Sequence, residues 1–302
     1  MSSPAQQPVP GIETNVLRPT RQVGALLGFV VKAEADAIFR QQPFETADGT
    51  DPLELWRKFE LQRQTLPPLG AAEAEALPGS LKSAIDLIRK RQTYKRHYEA
   101  VADYSFMAVP INALLTPQWH ADLDFVGEIA ATTGIHMTQE EQLFFAMSEG
   151  KITEPIVTGN QVWFTSPRRD LHADSVPVVR ETGEGEFEIV VKAASRPNYV
   201  QVAVLNNRLF LTNGVHKVCA LNKLGYSHCI CVLRKANQVA ELGIDPHGTS
   251  LLRDQVFLSP RPALVSDFLN PLAAAPLKMR PMYQCLQVAV SVGMIQVPAL
   301  MK

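Results

Sequence analysis

One stretch limits what this chain can fold into more than any other: Tyr199 to Arg234, YVQVAVLNNRLFLTNGVHKVCALNKLGYSHCICVLR. Val200, Val202 and Val204 alternate with Gln201, Ala203 and Leu205, the period of a largely buried strand. Asn206-Asn207 supplies turn chemistry, because asparagine tolerates the left-handed backbone that a two-residue hairpin needs. Leu209 and Leu211 then share one face of a second strand, with Phe210 and Thr212 on the other. Asn213 is read as the N-cap of a helix of about three turns that stops at Gly225, and His228 to Leu233 forms a further strand. A strand that enters a helix through a glycine presents backbone N–H groups at the helix start, a natural anion site. His216 and Lys217 fall in that first turn, where the macrodipole opposes positive charge. Cations placed against the dipole point to a role outside the helix, and a first-turn lysine is expected to face solvent.

The order of these pieces resembles the ParB/sulfiredoxin-like nucleotide-binding fold. The matching residues are Gly214-Val215-His216-Lys217, then Ala220 and Leu224-Gly225, then the strand from His228. Glu140 to Val157, a helix ending near Gly150 and followed by Pro155-Ile156-Val157, agrees with the segment that precedes the anion-binding turn in that family. The resemblance spans roughly residues 107–234, apart from a β-rich insert near 159–198. It implies an α/β (α+β) fold with a mixed sheet, and a nucleotide or phosphate held by Asn213, Gly214, His216 and Lys217. The ligand it implies is a nucleoside triphosphate with magnesium. Hydrolysis or phosphoryl transfer would need a general base and a carboxylate for the metal, for which Glu140, Glu141, Asp122 and Asp124 are the candidates. Val215 stands where sulfiredoxin chemistry needs a cysteine, so that activity is not expected. Lys217 replaces the usual arginine and gives up its bidentate fork.

Two other readings stay open. The chain can keep such a fold as a non-catalytic structural or regulatory interaction module, a reading favoured by Val215, Lys217 and the elements outside the core. Alternatively, Arg89, Lys90, Arg91, Lys95 and Arg96, interleaved with Tyr94 and Tyr98, form a nucleic-acid surface. The simpler reading of that cluster is a solvated helix face opposite an inward row of Leu87, Tyr94, Tyr98 and Val101. A net charge of -1 over 302 residues gives no global pull toward nucleic acid or membrane, so any such binding is local.

The remaining segments set the expected layout. Residues 1–20, with Pro4, Pro8, Pro10 and Pro19, read as a disordered arm without a signal peptide, and a cytoplasmic location follows. Residues 21–103 are expected to be helical. Arg21 to Arg40 forms one helix, Asp51 and Pro52 start a second, and Ser80 caps a long third that reaches about Asp103. Residues 104–237 are the core, opening on a strand from Phe106 that bends at Pro110. Asp124 is expected to cap the next helix, although His120, Asp122 and Asp124 also have the chemistry of a divalent site. The insert is expected to enlarge the central sheet, with Arg168 and Arg169 in one of its loops. No metal site is expected at Cys219, Cys229 and Cys231, which read as buried hydrophobes, and His247 reads as a turn residue. Residues 238–302 form a proline-rich extension without a helix-turn-helix. It ends in a strand with Leu286, Val288, Val290 and Val292 on one face, suited to completing the chain's own sheet or joining a neighbour's.

Overall fold

The computed structural model describes residues 19–41, 44–46, 49–99, 103–149, 155–166, 171–173, 177–195, 197–242, 251, 257–280, 284–289, 291 and 293. Arg168, Arg169, His247, Val101, Val290, Val292 and nearly all of the N-terminal arm lie outside the described residues. Helices and sheets mix throughout, as an α+β chain requires. The chain separates into two compact units, a larger one within 19–150 and 197–280, and a smaller one drawn from 151–196 and the C-terminal residues.

The larger unit opens on a strand, β1 (Arg21–Ala25), where a helix was expected. The spacing of Leu26, Leu27 and Val30 suits a helix, but partners remote in sequence decide otherwise. β1 lies between β6 (His120–Asp122) and β16 (Ala275–Met279), antiparallel to both. The first helix, α1, runs only from Lys32 to Gln41. β2 (Phe44–Thr46) pairs with β16 and completes a four-stranded sheet. Part of the proline-rich extension is therefore built into the same unit as the N-terminal region. α2 (Pro52–Arg63) starts as its sequence indicates, with Asp51 accepting from the N–H groups of Leu53 and Glu54.

The expected long third helix breaks in the middle. A 3-10 turn, Gly79–Leu81, leads into α3 (Lys82–Arg89). Arg91 is extended (φ -65, ψ 139), and the chain resumes as α4 (Gln92–Tyr94) and a π-helical turn, Lys95–Glu99. The break lets Tyr94 and Tyr98 turn inward as expected, stacking on Phe106 and Tyr199 with centroids 5.7 and 5.6 Å apart. Leu87, expected in the inward row, is 56% exposed instead.

The central sheet has six strands in the order β3-β4-β15-β13-β14-β5. These are β3 (Glu75–Ala76), β4 (Ser105–Pro110), β5 (Leu114–Leu115), β13 (Gln201–Leu205), β14 (Arg208–Asn213) and β15 (His228–Lys235). Asn206 and Asn207 both have positive φ, 51 and 58, which matches the twist of a two-residue hairpin between β13 and β14. α7 (Val215–Lys223) then carries the chain over to β15, parallel to β13. Gly225 (φ 86) ends α7, and the N–H of Tyr226 reaches back to the carbonyl of Leu221. Strands in the middle of this sheet are apolar on both faces: Val202, Ala203, Leu205, Cys229, Ile230, Cys231 and Val232 are all buried. α5 (Leu123–Thr132) and α6 (Gln139–Ala146) precede the smaller unit, and α6 starts with a capping box of Thr138 and Glu141.

The insert does not enlarge that sheet. Its strands pair with one another and with the end of the chain: β7 (Ile156–Thr158), β8 (Gln161–Ser166) and β17 (Gln284–Ala289) form a three-stranded antiparallel sheet. β9 (Leu171–Ala173) pairs with β12 (Ala193–Ser195), and β10 (Val178–Gly183) with β11 (Glu186–Val190). The terminal strand thus finds a partner in its own chain, with Leu286 and Val288 half-buried on one side.

Candidate functional site

The start of α7 is built around two backbone demands on Gly214. Its φ is +94, in the left-handed region, and a Cβ there would meet the Cα of Val200 at 3.0 Å and its Cγ2 at 3.1 Å. Glycine is needed at this position for packing as well as for the turn. Asn213, expected as the N-cap, is the last residue of β14, and Gly214 takes the cap position without a side-chain hydrogen bond. The Asn213 amide instead donates to the carbonyls of Pro197 and Tyr199, both at 3.0 Å, tying down the chain that enters β13.

Lys217, expected at the surface, is 5% exposed. Its ammonium donates to the carbonyls of Ala146 (3.2 Å), Ser148 (3.1 Å) and Asn198. An ammonium has three donors, and three backbone oxygens receive them. One of those oxygens is that of Ala146, the last residue of α6, where helix carbonyls have no partners within the helix, and Ser148 follows just beyond the helix cap. The charge is thus compensated by the negative end of another helix. Arg91 caps the same end, donating to the carbonyl of Met147 at 2.7 Å with its guanidinium 5.8 Å from the ring of Phe144. A shallow depression lined by Arg91, Gln92, Thr93, Phe144, Ser148 and Glu149 opens beside this junction.

His216 also turns inward. Its Nε2 accepts the backbone N–H of Asp122 at 3.2 Å, so the proton sits on Nδ1 and the ring is neutral. The ring lies edge-on to Phe125 at 5.3 Å. Desolvation holds its pKa below the ordinary histidine value; the nearby carboxylate of Asp122 opposes this and Arg21 adds to it. Arg21 bridges Asp122 (2.8 Å) and Glu128 (2.7 Å).

Three of the four candidate carboxylates have structural duties, and they are not gathered into a site. Asp122, not Asp124, caps α5 by accepting from Phe125 at 2.8 Å. Asp124 accepts the N–H of Gln22 at 2.8 Å. Glu141 belongs to the capping box of α6, where the N–H and hydroxyl of Thr138 hold its carboxyl below the usual range. Glu140 is exposed in the same turn. Among the described residues no three histidine, cysteine, aspartate or glutamate side chains come together as metal ligands would. Cys219, Cys229 and Cys231 are fully buried, and burial pushes all three thiols up, Cys229 to about 12.

Within the basic cluster the structure separates roles that the sequence ran together. Arg91 is the α6 cap, and Arg89 lies over Phe106 at 5.7 Å and beside Asp86 at 3.7 Å. Lys90, Lys95 and Arg96 are exposed. The joint capping of α6 by Arg91 and Lys217 is the feature that sequence reasoning missed. Its signal was the run Val215 to Leu221, apolar almost all round, since a lysine within a buried helix must find oxygens. Comparison with protein-family models, with curated proteins and with solved structures finds no match. No described helix is long and apolar enough to cross a membrane.

Proposed function

We propose that this chain is a non-catalytic interaction module whose core resembles the ParB/sulfiredoxin-like sheet, with the former anion turn serving the fold. The observation that carries this reading is the ammonium of Lys217, spent on three carbonyls of its own chain. An anion at Gly214 could use that ammonium only by drawing it away from the end of α6, and the neutral ring of His216 offers it no charge. Asn213, the remaining polar candidate, is committed to Pro197 and Tyr199.

The test is calorimetric titration of the full chain with ATP, CTP, GTP and pyrophosphate, with and without magnesium. The module reading expects no binding at millimolar concentration. Saturable nucleotide binding that is lost in a folded Lys217→Ala variant would overturn it in favour of the nucleotide reading.

A further inference from the structure

The smaller unit carries an unusual apolar face. β10 and β11 pair in the register Val179↔Ile189 and Glu181↔Phe187, so Val179, Ile189 and Phe187 project to one side, with Glu181 among them. These three are 62%, 69% and 65% exposed. Among the described residues no third strand joins the pair, and a lone two-stranded hairpin is marginal in water. An exposed face of this kind marks a contact surface.

Charge selects the occupant. The hairpin carries Glu181, Glu184, Glu186 and Glu188 against one base, Arg180. Two such hairpins laid face to face would bring like charges together, which disfavours a symmetric pairing. The chain has exposed residues of the complementary kind on α3 and the turns that follow. Leu87 is 56% exposed there, Lys90, Lys95 and Arg96 are exposed, and no acidic residue occurs between Leu87 and His97.

We infer that the β10–β11 hairpin of one copy docks on the Leu87, Lys90, Lys95 and Arg96 surface of a second copy. Val179, Phe187 and Ile189 cover Leu87 while Glu181, on the same face, and Glu184, in the connecting turn, meet the cations. This rests on the interaction-module reading and names its partner. Every copy offers a hairpin and receives one, so two copies exchange hairpins reciprocally, or more copies close into a ring or grow as an open array.

Sedimentation velocity of the full chain over a wide concentration range, at low and high salt, tests this. The expected result is concentration-dependent association that weakens as salt screens the charges. Phe187→Ser with Ile189→Ser weakens it by about tenfold or more, and so does Lys90→Glu with Lys95→Glu. Mixing the two double variants is decisive, because each keeps the half that the other has lost, and they form a 1:1 complex that grows no further. If the lysine variant does not fold, Leu87→Ser takes its place. A chain that stays monomeric throughout, association that survives either variant, or no 1:1 complex on mixing overturns the inference. A monomer that also binds no nucleotide removes the second copy and leaves the module reading intact, whereas nucleotide binding removes the module reading.

Discussion

Lys217, in the first turn of α7, donates its ammonium to the carbonyl of Ala146 at the end of α6, 3.2 Å away and 71 residues earlier in the chain. The bond joins the start of one helix to the end of another, at a carbonyl that also accepts the backbone N–H of Val200 at 3.0 Å. A buried ammonium needs oxygens, and the last carbonyls of a helix need donors. Arg91 adds a second cation at the neighbouring carbonyl of Met147. Gly214 and Lys217, two of the features by which the α7 turn resembles an anion site, thus also serve packing.

The two glycines that bound α7 give the first prediction. Gly214 and Gly225 both have positive φ, but a Cβ at Gly225 meets nothing within 4 Å, whereas one at Gly214 meets the backbone of Val200 at 3.0 Å. Gly225→Ala should cost about 1–2 kcal/mol, the left-handed penalty alone. Gly214→Ala should cost more, by about 1–3 kcal/mol of overpacking. Urea unfolding of both variants measures the difference, and equal costs would remove the role given to Val200.

Much of this region was legible from residue order. Alternating Val200, Val202 and Val204, the Asn206-Asn207 turn and the stop at Gly225 report local chemistry, and local chemistry decides them. Arg21 to Ala25 and the insert were not legible in the same way. The residues of β1 become a strand only because β6 and β16 lie on either side of them. Similarly, β8 is matched by a strand more than a hundred residues later, and no spacing within the insert announces β17. For the site, types and positions were readable, while the direction of each side chain was not. Asn213, His216 and Lys217 all carry polar groups that the sequence turned outward and that the fold turns to its own backbone.

Acid sensitivity follows from His216. Its folded pKa lies below the ordinary value because burial disfavours the imidazolium. The unfolded chain therefore binds the proton more readily, and the stability from the neutral ring is complete above about pH 6.5. It is lost as pH falls from there toward the lowered folded value. Protonation also sets a new N–H against the N–H of Asp122. Urea midpoints of the parent and His216→Gln between pH 7.5 and 5 should converge as pH falls. Parallel curves would contradict this account.

Thiol chemistry separates the cysteines. Cys285 is exposed, whereas Cys219, Cys229 and Cys231 are buried with raised pKa values. A maleimide at pH 7.5 should label one thiol in the native protein and four after denaturation. Native labelling of Cys229 or Cys231 would show that the sheet face over them is open.

The basic cluster should respond unequally to substitution. Arg91→Met removes a cap from α6 and should cost about 1–3 kcal/mol, the penalty for leaving a buried carbonyl without a donor. Lys95→Met, at an exposed position, should stay within about 0.5 kcal/mol. Equal thermal shifts would place Arg91 back on the solvated face.

The central claim, that the charge of Lys217 holds the fold together, is tested most directly by the unfolding free energy of Lys217→Met in urea. Methionine keeps much of the side-chain length and leaves the carbonyls of Ser148 and Asn198 without this donor, while that of Ala146 keeps the N–H of Val200. Each buried carbonyl so orphaned costs about 1–3 kcal/mol where water cannot reach it, so a loss of about 2–6 kcal/mol is expected for the two. A variant as stable as the parent would contradict the claim and return Lys217 to the surface of an anion site.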